Sequence, residues 1–302
     1  MTKFNIMAEN IIKEQVKGAQ EPTLNKKTSA AWVDALAFVF IFIVAQTLGG
    51  VVCTLLGVRM PGEAMTTSFD TEVLEAAASM QARFVAVAYM LSMAFCFLLL
   101  GIYCRLRGLA AWGWLRLRGA FSPIRLLFGY LLMWCFSIAV EPIVELLPGD
   151  QSALGGGGWL LVSAVLLAPL FEETLFRGYI AGRLRDAYGG MVAWIVSAVA
   201  FGAVHAIPSV VVAATFSGLV LSYYYLRHRS LGLVIMLHAM NNLTACFLKI
   251  VDLGDMTTRE MLGEGTLYWC VYALCALIAL VALVRMGREM WGIKSKDNLI
   301  KE

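Results

Sequence analysis

The chain is expected to be an all-α polytopic membrane protein, a bundle of about eight transmembrane helices, and three observations predict this. Hydrophobic residues make up 60% of its 302 residues and charged residues only 15%, against roughly a quarter charged in soluble domains. Apolar stretches of about 17–25 residues, long enough to cross a bilayer, recur along the chain. The Lys and Arg residues fall in alternate loops between those stretches, as membrane topology requires. The mean hydropathy of +0.75 agrees.

Residues 1–31 are polar, with Lys3, Lys13, Lys17, Lys26 and Lys27. No short apolar run there precedes a small-residue cleavage site, so they read as a retained cytoplasmic tail. The membrane domain is expected over residues 32–287. Its spans are Trp32–Leu56, Phe84–Tyr103, Leu126–Leu147, Trp159–Tyr179, Met191–Ile207, Val210–Leu226, Leu231–Leu248 and Tyr268–Val284, with residues 288–302 as a second cytoplasmic tail. Trp32, Trp159, Tyr268, Trp269 and Trp291 lie near span ends, where aromatic belts belong. Counting Arg177 at the inner end of the fourth span, the tails and alternate loops hold 20 of the 24 Lys and Arg; the loops between them hold only Arg59, Arg83, Lys249 and Arg259. That division predicts both termini in the cytoplasm, and the short loops and compact tail suggest a bacterial inner membrane. The net charge of +3 follows this topology and points to no nucleic-acid partner.

Between the second and third spans, residues 111–118 mix Trp112 and Trp114 with Arg116 and Arg118, and are expected to lie flat at the interface. Gly155–Gly158 reads as a flexible hinge outside the membrane. Asp34 is expected to cap the start of the first span, and Gly178 and Gly182, four apart, to permit close helix approach. Glu141 and Glu145 belong at the outer end of the third span, and His228 in a solvated loop. The seven cysteines form no CxxC pair and read as small packed residues.

Against this background a few polar residues stand out. Glu172 and Glu173 lie inside the fourth apolar run, where ionisable groups are costly and mark function. His205 and His238, two of the chain's three histidines, also lie within apolar segments. The fourth and fifth spans meet near Tyr188, and Glu172 and His205 lie nearly equidistant from that turn, so they share a depth. His238 and Asn242 are four residues apart and face the same way on the seventh span. Glu172 and Glu173 point about 100° apart, so one of them is expected to face a central site. Arg177 can pair with either carboxylate. A base for peptide hydrolysis gains strength when it is withdrawn from water, and an amide and an imidazole can both donate to a developing oxyanion.

The pattern Glu172-Glu173-x-x-x-Arg177, then Phe201-x-x-x-His205, then His238-x-x-x-Asn242, in order on three hydrophobic segments, resembles the CAAX protease and bacteriocin-processing family (CPBP or Abi). The resemblance covers about residues 155–250. It implies an intramembrane endopeptidase of the CAAX prenyl type. Glu172 would then activate water, His205 would help hold and deprotonate it, and His238 with Asn242 would stabilise the oxyanion. Glu173 and Arg177 would support the site, and Phe201 would shape a substrate groove. The implied substrate is a membrane-tethered or lipidated protein or peptide.

The resemblance favours a glutamate-type mechanism without a cofactor. Zinc held by Glu172, His205 and His238 is the alternative, although the chain has no HExxH motif. Two other functions compete: a non-proteolytic membrane scaffold or bacteriocin-immunity protein, and a proton-coupled transporter using the paired glutamates. The transporter reading would expect an internal repeat, and none is visible. The sequence leaves the substrate and the oligomeric state open.

Overall fold

The structure is a computed structural model, and it describes residues 30–117, 122–148, 157–205, 207–251, 253–254 and 256–294. Residues 1–29 and 295–302 of the tails, and Gly155, Gly156 and Arg118 of the segments singled out above, lie outside the described residues; residues 288–291, expected in the second tail, continue α10. Ten helices follow one another, with no strand among the described residues. They are α1 (Ala30–Leu55), α2 (Glu63–Thr66), α3 (Thr71–Leu106), α4 (Pro123–Val144), α5 (Gly158–Tyr188), α6 (Gly190–Ala203), α7 (Pro208–His228), α8 (Leu231–Ile250), α9 (Thr258–Leu262) and α10 (Thr266–Trp291).

Helix starts follow local chemistry. Asp70 caps α3 by accepting from the Glu72 amide, and Ser230 caps α8 by accepting from the Leu233 amide. Prolines open α4 and α7, where a missing N–H costs nothing. Seven of these helices (α1, α3, α4, α5, α7, α8 and α10) are long and apolar enough to cross a membrane. The protein is therefore a multi-pass, all-α membrane bundle.

The expected fifth span is the exception. Helix α6 has 14 residues, a rise of about 21 Å against about 30 Å of hydrocarbon. Its start is recessed, because the Gly190 amide donates to the Ile293 carbonyl at 2.8 Å, so the chain beyond α10 folds over it. A Cβ on Gly190 would meet the Met290 carbonyl oxygen at 2.6 Å. Helices α6 and α7 still form an antiparallel pair, in very close contact: a Cβ on Gly218 would stand 3.1 Å from Ala198 Cα.

At the Lys/Arg-rich end, two acidic residues tie the helices together. Asp34 is completely buried and sits one turn inside α1. It accepts from Tyr103 Oη (2.8 Å), Arg107 Nε (3.1 Å) and Arg183 Nε (2.8 Å). Asp34 thus joins α1 to α3 and α5; it does not cap α1. Glu289 on α10 accepts from Tyr223 Oη and from Arg227 and Arg285 Nε.

Residues 107–117 do not lie flat on a surface. Trp114 is buried, with its indole N–H donating to Asp186 at 2.8 Å. Its carbonyl accepts from Tyr225 Oη, and the Arg116 and Leu117 carbonyls accept from the Leu231 and Gly232 amides. Gly178 and Gly182 admit this strap: Cβ atoms there would lie 2.6 Å from Leu115 Cδ2 and from Trp114 Cγ. The two glycines bring α5 close to a loop, not to a helix.

Candidate active site

Helix α5 carries the paired glutamates on an irregular backbone. Its α-helical stretch Ala168–Glu173 lies between two π-helical ones, Val162–Leu167 and Thr174–Ala181. Such widened turns recur at functional sites. In the first of them the Ala168 amide bonds back five residues to the Ser163 carbonyl. The next donor in that register would be residue 169, a proline with no N–H. The Ala164 carbonyl is instead met by Asn242 Nδ2 of α8, at 2.8 Å.

Glu173 is wholly buried. Its Oε2 lies 3.1 Å from Arg177 Nε, and its Oε1 accepts from His238 Nδ1 at 2.9 Å. Arg177 is wholly buried as well; it donates to the Gly218 carbonyl at 3.3 Å and stacks 4.2 Å over the Phe201 ring. A guanidinium removed from water needs such compensation. Glu173 is therefore more than Arg177's partner: it joins the arginine to the imidazole of α8.

Glu172 points elsewhere. Its Oε1 accepts from Tyr89 Oη of α3 at 3.0 Å. Its Oε2 is buried without a hydrogen-bond partner and lies 4.0 Å from His238 Nε2. That is too long for a direct hydrogen bond and suits one bridging water. Because His238 donates Nδ1–H to a carboxylate, its Nε2 is the nitrogen turned to Glu172.

His205 lies in the turn after α6, and its Nδ1–H donates to the Phe201 carbonyl at 2.8 Å, which leaves Nε2 free of the backbone. Phe201 is buried, with its ring centroid 5.0 Å from that of His205 and 5.6 Å from that of His238. The aromatic ring thus packs against both imidazoles and under the Arg177 guanidinium, as a wall of the site.

Glu173, Arg177 and His238 therefore meet directly, and Glu172 stands 4.0 Å from His238. Asn242 reaches the same helix through Ala164, and His205 stands one aromatic ring away. Among the described residues no group of three or more His, Cys, Asp and Glu is arranged to hold a metal ion. Sequence reasoning missed Tyr89. Its one local signal is a hydroxyl well inside an apolar span instead of at its end.

Residues 155–244 match the family model described as Type II CAAX prenyl endopeptidase Rce1-like. No curated protein and no solved structure matches the chain. The matched stretch holds all seven residues of the three motifs and ends within the interval of about 155–250 that they marked out. Over residues 155–244, the chain is thus similar to the Rce1-like Type II CAAX prenyl endopeptidases.

Proposed function

We propose that this protein is an intramembrane endopeptidase that hydrolyses a peptide bond in a membrane-tethered or lipidated protein, with Glu172 as the general base. The observation that carries this reading is the pair Glu172 Oε2 and His238 Nε2, 4.0 Å apart and joined by no direct bond. A water held between them would give one proton to the Glu172 carboxylate as its oxygen attacks the scissile carbonyl carbon. The proton would pass on to the departing amine, leaving a carboxylic acid and an amine as products.

Oxyanion stabilisation falls to His238 and Asn242. Glu173 orients His238 through Nδ1, as a buried carboxylate does for a catalytic imidazole elsewhere. Asn242 Nδ2 carries two hydrogens, and the bond to Ala164 occupies one. His205 keeps Nε2 for the water or the substrate amide. The basic loops gather at one end of the bundle, which supports an inner-membrane orientation with both termini in the cytoplasm.

The test is cleavage of a prenylated peptide reporter in liposomes holding the purified protein. Glu172→Gln should lower kcat by about 10²–10⁴-fold in a protein that still melts cooperatively. Unchanged cleavage in that variant would overturn the reading. A biological effect that survives Glu172→Gln would point to the scaffold function.

A further inference from the structure

The catalytic carboxylate is held by a residue from outside the matched stretch. We propose that Tyr89 of α3 is a positioning residue for Glu172, which makes the site incomplete without the second span. The inference rests on Glu172 being the general base.

Three observations carry it. Tyr89 Oη donates to Glu172 Oε1 at 3.0 Å, across 83 residues of sequence. That bond leaves Oε2 as the oxygen turned to His238 Nε2. A glutamate side chain has three rotatable bonds, so a donor on one oxygen fixes where the other points. The Tyr89 ring is itself held, edge-on to Phe171 at 6.0 Å, beside the base it orients.

The register of α3 at this point is also fixed. Gly49 of α1 approaches so closely that a Cβ on it would stand 2.5 Å from the Ser92 amide nitrogen and 2.7 Å from the Ala88 carbonyl oxygen. Ala88 and Ser92 flank Tyr89 on α3, and Ser92 Oγ also donates to the Gln46 carbonyl. The first span thus sets the height of the second, and the second sets the carboxylate. A tyrosine recruited only for packing would need no hydroxyl aimed at a partly buried carboxylate.

The experiment uses the full chain in liposomes and the same reporter. Tyr89→Phe keeps the ring and removes the donor; kcat should fall about 10–100-fold, with KM and the melting temperature unchanged. Replacing Tyr89 with 4-aminophenylalanine returns an N–H donor to the same ring position and should restore most of kcat. Full activity in Tyr89→Phe beside an inactive Glu172→Gln would overturn the role of Tyr89 alone. A loss in Tyr89→Phe that comes with a lower melting temperature, and that the amino analogue does not restore, would also overturn it, since that result describes packing. Full activity in Glu172→Gln would remove the parent reading and this one with it.

Discussion

Pro169 and Asn242 are linked through a single oxygen atom. The proline withholds a donor from the Ala164 carbonyl in the π-helical register, and the asparagine supplies one from the neighbouring helix at 2.8 Å. A helix irregularity on α5 and a polar residue on α8 therefore form one device. The same contact sets the height of α8, and hence of His238 one turn earlier, against Glu172.

Asn242→Ala should accordingly lower stability as well as activity. Fully buried, an orphaned carbonyl costs about 1–3 kcal/mol; Ala164 is partly buried, so the loss should fall toward the lower figure. Adding Pro169→Ala returns an N–H to α5, so the double variant should melt higher than Asn242→Ala alone. Additive effects in that thermal double-mutant cycle would contradict the link.

Glu173→Gln keeps the side chain's shape but leaves Arg177 buried without its counter-ion. Breaking a buried pair on one side costs about 3–5 kcal/mol. The same change removes the carboxylate that orients His238, so both melting temperature and kcat should fall. Glu172→Gln should lower kcat with much less effect on melting, because Glu172 makes no comparably close ion pair. Equal thermal losses in the two variants would contradict this division of roles.

Asp34→Asn should loosen the Lys/Arg-rich end, where one carboxylate serves both Arg107 and Arg183. Arg107 is substantially exposed, so the loss should sit near about 3 kcal/mol, the lower end for a broken buried pair. Melting in detergent would check it. A variant as stable as the parent would show that the two arginines find other partners.

Helix α9 offers a local pH response. The Thr257 amide donates to Glu260 Oε2 at 2.8 Å, and the Glu260 amide donates back to Thr257 Oγ1 at 3.1 Å. The first of these bonds holds the Glu260 carboxyl below its ordinary 4.5. Its support of α9 is therefore complete above 4.5 and is lost as pH falls through the lowered value. Hydrogen-exchange protection over residues 258–262 should drop in that range, and Glu260→Gln should abolish the pH dependence.

Much of this architecture was legible from hydropathy and charge, because a bilayer imposes both helix length and loop sign. The motif residues were legible too, since ionisable groups in apolar runs are conspicuous. What escaped were pairings between distant segments. Nothing local to Gly182 says that Trp114 will fill the space beside it, and the recessed start of α6 depends on Ile293. Asp34 looked like a cap because it lies near a span's first residue; its three partners are 69, 73 and 149 residues away. Tyr89 was hidden for the same reason: its value comes from Glu172, and an isolated tyrosine in a span carries no pattern.

The strap of residues 107–117 bears on any attempt to shorten the molecule. Leu115 and Trp114 occupy hollows that Gly178 and Gly182 leave in α5, and Arg116 and Leu117 receive the first amides of α8. An excised fragment starting at α4 would bare those hollows and forfeit the α1–α3 brace. The motif-bearing third of the chain is thus not an autonomous unit, and grafting it onto a foreign membrane scaffold would require transplanting the strap as well.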